Sequence, residues 1–157
     1  MKTEIAPERA QATPAMRSNW GMWRTGILVA GDALSFLAFA SAGRNTHGEA
    51  LSLGQIALTA VPFALSWFIV SPWLGAYRRT QTTGPLNMLK RTELAWISSY
   101  PLAIGLRVLF GLIGLAENAS MPWTFALVIL LANGLFLGAW RTLFAIVERY
   151  LPVGKTE

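Results

Sequence analysis

The sequence predicts an all-α, polytopic membrane protein built as a four-transmembrane-helix bundle. Hydrophobic residues make up 54% of its 157 residues and charged residues only 13%, and the mean hydropathy is +0.44. A soluble domain of this size leaves too much of its surface in water to hide so many apolar side chains. Four apolar stretches of about 20 residues or more, separated by short polar segments, are instead typical of helices that cross a bilayer.

The chain is predicted to begin with a flexible tail, followed by the transmembrane domain. Residues 1–19 mix Pro, Ala and charged residues without apolar periodicity, which indicates a flexible cytoplasmic tail. The four-helix transmembrane domain is predicted over residues 20–150, with its first span over 22–42. The small residues 40–42 also resemble a signal-peptide cleavage site, but Asp32 would then interrupt the apolar region. We therefore expect the first span to remain attached.

Three further spans follow the first. The second is predicted over 55–74, the third over 93–116 and the fourth over 123–147. A basic loop with a Thr-Gly-Pro turn signal joins the second span to the third. At 1.5 Å per residue, a helix of about 20 residues just crosses a hydrocarbon core of about 30 Å.

The distribution of Lys and Arg predicts how the chain is oriented. The second loop carries four of them, whereas the first loop carries only Arg44 and the third carries none; the four are Arg78, Arg79, Lys90 and Arg91. The positive-inside rule then places both termini and the second loop in the cytoplasm of a multi-pass protein of the plasma (inner) membrane. The net charge of +5 is concentrated at span ends, so it indicates topology and does not indicate a nucleic-acid partner.

Several segments together resemble a known family. They are GDALSFLAFASAGRNTHGE from residue 31, VPFALSW from residue 61, LGAYRR from residue 74, GPLNMLKRTELAWISSYPLAIGLR from residue 84, and the Trp140-Arg141 pair. The chain resembles DUF3054, a family of bacterial and archaeal integral membrane proteins of unknown function, over residues from about 26 to about 147. The resemblance implies a polytopic membrane protein and provides no catalytic residues.

The charged residues inside the spans form a candidate polar cluster of Asp32, Arg107 and Arg141. A carboxylate at mid-span costs at least ~2.5 kcal/mol unless it is paired, protonated or hydrated. One hypothesis is a buried ion pair that fixes helix packing, and the other is a proton or ion relay. Arg141 could also extend its side chain to the membrane surface.

Two other features have both a functional and a structural interpretation. Gly134 and Gly138 form a GxxxG pair, which favours close helix packing within the bundle or, alternatively, homodimerisation. In the first loop, His47 and Arg44 are candidate functional residues, with His47 as a pH-sensitive or ligand-contacting group. The simpler interpretation, which the sequence favours, is a loop histidine that is hydrogen-bonded locally. One His with a nearby Glu is too few ligands for a metal site.

The sequence contains no catalytic motif, and its leading interpretation is a non-enzymatic structural or accessory membrane component. The absence of cysteine excludes a disulfide framework and a thiol nucleophile. We expect no cofactor and no metal, with the lipid bilayer as partner and a homo-oligomer or a larger membrane complex as further possibilities. The alternative is an oligomeric transporter or channel subunit in which Asp32 handles protons or ions.

Overall fold

The computed structural model describes residues 14–46, 52–115 and 122–150. All of the regular secondary structure in this part of the chain is helical. The four helices, each with its bounds, are α1 over Pro14–Thr46, α2 over Leu53–Val70, α3 over Pro85–Leu112 and α4 over Trp123–Tyr150. A short 3-10 turn covers Arg79–Gln81 in the segment between α2 and α3.

The four helices form a bundle in which each packs against two neighbours. Contacts run from α1 to α2, from α2 to α3, from α3 to α4 and from α4 back to α1. Short connections make successive helices antiparallel. Segment 71–84 therefore lies at the same end of the bundle as the starts of α1 and α3 and the end of α4. We call this end the basic end, because it carries Arg78, Arg79, Lys90 and Arg91.

All four helices are long and apolar enough to cross a membrane, so the protein is a multi-pass membrane bundle. The spans have mean hydropathies of 1.6, 1.8, 1.3 and 1.8 in chain order. Large apolar side chains also cover the outward faces of the helices, for example Leu34, Leu65, Leu94 and Leu131, each at least 43% exposed. Helices that are apolar on both their inner and outer faces are typical of a bundle surrounded by lipid.

The helix ends differ from the predicted spans for identifiable reasons. Helix α3 begins at Pro85, eight residues before the predicted start at residue 93, because Gly84 with φ 76° turns the chain and proline fits the first helical position. The charged pair Lys90-Arg91 had suggested a loop, although the helix runs through it. Helix α1 begins at Pro14, inside the stretch predicted as a tail, and residues 1–13 lie outside the described part of the chain.

Aromatic and small residues fill the centre of the bundle. Phe36 of α1 contacts Trp67 of α2 and Trp96 of α3, with ring centroids 6.5 and 5.8 Å away. Gly134 and Gly138 face α3, since a Cβ atom on either would meet side chains of that helix. Of the two interpretations of the GxxxG pair, packing within this bundle is therefore the one that the structure shows.

Candidate functional site

Asp32 lies in the interior of the bundle with none of its surface exposed. Its Oδ1 accepts a hydrogen bond from Arg141 Nε at 2.8 Å, and its Oδ2 accepts one from Arg141 Nη2 at 2.6 Å. Oδ2 also accepts hydrogen bonds from Tyr77 Oη at 2.6 Å and Trp67 Nε1 at 3.0 Å. These four bonds tie α1 to α4, to α2 and to segment 71–84.

Arg141 matches Asp32 in burial and uses all three guanidinium nitrogens. Two of them bind the Asp32 carboxylate in a bidentate ion pair, which is the strongest geometry that an arginine can form with a carboxylate. The third, Nη1, donates to the carbonyl oxygen of Ala76 at 2.7 Å. The guanidinium also lies 4.9 Å from the ring centre of Trp67 and 4.6 Å from that of Tyr77, within cation–π range.

Tyr77 connects the ion pair to the segment between α2 and α3. Its hydroxyl donates to Asp32 and accepts a hydrogen bond from Trp67 Nε1 at 3.1 Å. Burial, and then the neighbouring Asp32 carboxylate, raise the pKa of the Tyr77 hydroxyl well above its ordinary value. The hydroxyl therefore keeps its proton and remains a donor to Asp32 across the physiological range.

A second ion pair lies closer to the basic end. Arg24 of α1 donates from Nε to Glu148 of α4 at 2.7 Å, and the two side chains are 2% and 13% exposed. Its Nη2 donates to Thr82 Oγ1 at 2.9 Å and its Nη1 to the Tyr77 carbonyl at 3.5 Å. Arg24 and Arg141 thus hold segment 71–84 from two sides.

The structure brings two of the three predicted cluster residues together. Asp32 and Arg141 form the pair, whereas Arg107 is half-buried on α3 and does not bond to Asp32. Arg107 lies five residues before the end of α3 at Leu112, whereas the Asp32 oxygens are bonded to Arg141, Tyr77 and Trp67. Arg107 has other interactions at the opposite end of the bundle.

Arg44, one of the two candidate residues of the first loop, lies near that opposite end. Arg44 is 7% exposed, and it donates to Gln55 Oε1 at 3.1 Å and to Thr59 Oγ1 at 3.5 Å, linking α1 to α2. His47 lies outside the described residues, so the structure leaves both of its interpretations open. Within the described ranges, no group of three or more His, Cys, Asp or Glu side chains could hold a metal ion.

Comparison with known proteins identifies the family of this chain. The sequence profile of a family described as protein of unknown function (DUF3054) matches residues 29–144. The chain belongs to the DUF3054 family. No curated protein and no solved structure matches it.

The matched region of this DUF3054 protein includes both members of the central ion pair and their aromatic partners. Asp32, Trp67, Tyr77 and Arg141 all fall within residues 29–144. Sequence reasoning selected the two charged residues from their position inside apolar spans, but it did not find Trp67 and Tyr77. Aromatic residues near membrane interfaces are common for other reasons, so only the three-dimensional packing reveals their role.

Sequence reasoning also did not select three further charged residues, Arg24, Glu93 and Glu148. The position of Arg24 at the start of the first span is typical of an interfacial anchor, yet the side chain is buried against Glu148. Glu93, which was expected to begin the third span, lies eight residues inside α3 and against the glycines of α4. The sequence does contain a signal for the Arg24–Glu148 pair. Arg24 lies near the start of the first span and Glu148 near the end of the fourth, which are at the same side of the membrane in a four-span protein.

Proposed function

We propose that this DUF3054 protein is a non-enzymatic structural or accessory component of the plasma membrane, whose bundle is locked by the Asp32–Arg141 ion pair. One observation carries the proposal, namely that the Asp32 carboxylate accepts four hydrogen bonds with none of its surface exposed. A carboxylate offers about four lone-pair sites in total. The bonds of the Asp32 carboxylate connect α1 to α2, to α4 and to segment 71–84, which is what a structural role requires.

A proton or ion relay has different requirements. A relaying carboxylate must alternate between a bound and a free state, and it needs a path to water or to another titratable group. Arg141 stays charged at any physiological pH, and releasing Asp32 from it would leave two uncompensated charges inside the bundle. The buried carboxylate and its two bonds to Arg141 therefore support a structural role over ion handling.

The orientation that we propose places the basic end in the cytoplasm. Among the described residues, Arg78, Arg79, Lys90 and Arg91 lie at that end and Arg44 and Arg107 lie toward the other, which is the asymmetry of the positive-inside rule. Both termini are then cytoplasmic. The bilayer is the first partner, and an accessory role would add a larger membrane complex or a second copy of the chain.

Single cysteines test this orientation cleanly, since the natural chain has none. We expect an impermeant thiol reagent added outside intact cells to label Asn118→Cys and to leave Thr83→Cys and Lys155→Cys unlabelled. If Thr83→Cys and Asn118→Cys label from the same side, the four-span arrangement is wrong.

Ion flux tests the structural role. The purified protein and its Asp32→Asn variant are reconstituted into liposomes, and the movement of protons and of monovalent cations is followed with indicator dyes. We expect the two proteins to give the same flux as each other and as empty liposomes, and Asp32→Asn to unfold more readily because Arg141 loses its counter-charge. A flux that the natural protein supports and Asp32→Asn abolishes, with stability intact, would establish the transporter alternative.

A further inference from the structure

The described part of the chain contains three carboxylate side chains, and only two of them are paired. Asp32 is bound to Arg141 and Glu148 to Arg24. Glu93 has no hydrogen-bond or ion-pair partner among the described residues. An unpaired carboxylate inside a membrane span is the feature of this bundle that its packing does not explain.

The Glu93 carboxylate lies in the contact between α3 and α4. A Cβ atom placed on Gly134 would lie 3.0 Å from its Oε2, and one placed on Gly138 would lie 2.6 Å from its Oε1. Gly138 is three residues from Arg141 toward the start of α4, a distance of about 4.5 Å along the helix. The carboxylate is therefore close in depth to the central ion pair.

The charged groups around Glu93 do not neutralise it. On α4, Arg141 is one turn from the glycines but is committed to Asp32 and to the Ala76 carbonyl. On α3, Lys90 is exposed, and Arg91 Nη1 points to the Leu74 carbonyl at 3.5 Å. Helix α2 contains no charged or titratable residue. A bare carboxylate in this position is costly, because its apolar surroundings do not solvate the charge.

A proton is the cation that fits one isolated carboxylate. A metal ion would require several oxygen ligands, and the described residues contain no group of three or more His, Cys, Asp or Glu side chains that could hold one. Protonation removes the charge, and the resulting carboxylic acid also gains an O–H donor. Because the side chain is half-buried, its oxygens can still exchange a proton with the surroundings.

We propose that Glu93 is a proton-binding site inside the membrane. The carboxylate takes up one proton to become a neutral carboxylic acid, and it returns that proton when the carboxyl ionises; no other bond forms or breaks. When the Glu93 carboxyl is neutral, α3 packs against the glycines of α4 without a buried charge. When it is ionised, the contact must admit water or a cation. This site is independent of the structural lock at Asp32.

Carbodiimide labelling tests the proposal on the intact protein in liposomes. A hydrophobic carbodiimide adds to a protonated carboxylic acid in an apolar environment, and the adduct rearranges to a stable N-acylurea that mass spectrometry locates. We expect the adduct on Glu93 at neutral pH, a several-fold loss of labelling in alkaline buffer, and complete loss in Glu93→Gln. The paired carboxylates Asp32 and Glu148 serve as internal controls and should remain unlabelled.

Three results would overturn the proposal. The first is the absence of a Glu93 adduct in the folded protein when the detergent-unfolded protein is labelled. The second is equal labelling by a water-soluble carbodiimide, which would show an ordinary hydrated carboxylate. The third is an amide cross-link from Glu93 to a lysine of another chain, which would show that a partner's cation neutralises it. A protonated carboxylic acid band in the infrared spectrum that Glu93→Gln removes would support the proposal independently.

Discussion

A double-mutant cycle across the central ion pair measures how strongly Asp32 and Arg141 depend on each other. The single changes are Asp32→Leu and Arg141→Met, each of which replaces a charged side chain by an apolar one. Either one leaves the other charge buried with none of its surface exposed. Removing one partner of a buried ion pair costs about 3–5 kcal/mol, most of it from the uncompensated charge that remains.

The structure also sets the expected result for the double variant. Without Asp32 and Arg141, Trp67 Nε1 still has the Tyr77 hydroxyl oxygen 3.1 Å away, but the Tyr77 proton loses its acceptor and the Ala76 carbonyl loses its donor. Each buried polar group without a partner costs about 1–3 kcal/mol. Because the double variant carries no uncompensated charge, it should be destabilised by less than the sum of the two single variants, and the coupling energy should be at least about 1.5 kcal/mol.

Unfolding in mixed micelles provides the assay. The fraction folded is followed by circular dichroism as a denaturing detergent is titrated into a mild one, for the natural protein, both single variants and the double. Arg107→Met combined with Asp32→Leu is the matched control, because Arg107 does not bond to Asp32, and its effect should add. Additive losses in the Asp32/Arg141 double variant would refute the pairing and place Asp32 in a hydrated cavity.

Two further predictions concern the surroundings of the pair. Gly31→Ala should destabilise the bundle by about 1–3 kcal/mol, because its Cβ would collide with the Trp140 ring. Gly26→Ala on the same helix meets nothing within 4 Å and should be close to neutral. Equal effects of the two changes in thermal unfolding would contradict the packing. The raised pKa of Tyr77 adds stability that is complete below its ordinary value of 10.0 and is lost as the pH rises toward the higher value of the folded state. Tyr77→Phe should remove that part of the alkaline destabilisation, and an unchanged pH profile would show that burial, with Asp32 nearby, does not raise the pKa of the Tyr77 hydroxyl.

The sequence predicts the number of helices and their approximate positions because lipid imposes a simple rule of length and apolarity. The same rule does not fix where a helix begins outside the hydrocarbon, so the sequence predicts the third span from residue 93 although α3 begins at Pro85.

The charged residues of the candidate site could be predicted from the sequence because burying a charge in the membrane is costly. Asp32 and Arg141 stand out in apolar spans, and a charge in such a position demands a partner. Trp67 and Tyr77 do not stand out, since their role depends on the rotation of α2 and the path of segment 71–84. Glu93 was missed because the sequence places it beside Lys90 and Arg91, whereas the helix directs its carboxylate to the glycines of α4.

The most direct test of the structural lock is the distance between Asp32 and Arg141 in a lipid bilayer. Asp32 is the one aspartate in the sequence, so solid-state NMR of protein labelled with carbon-13 at the aspartate carboxyl and nitrogen-15 at arginine reports on this site alone. With guanidinium nitrogens 2.6 and 2.8 Å from the carboxylate oxygens, we predict strong carbon–nitrogen dipolar dephasing that disappears in Arg141→Met and persists in Arg107→Met. Weak dephasing in the natural protein, or dephasing that survives Arg141→Met, would contradict the account.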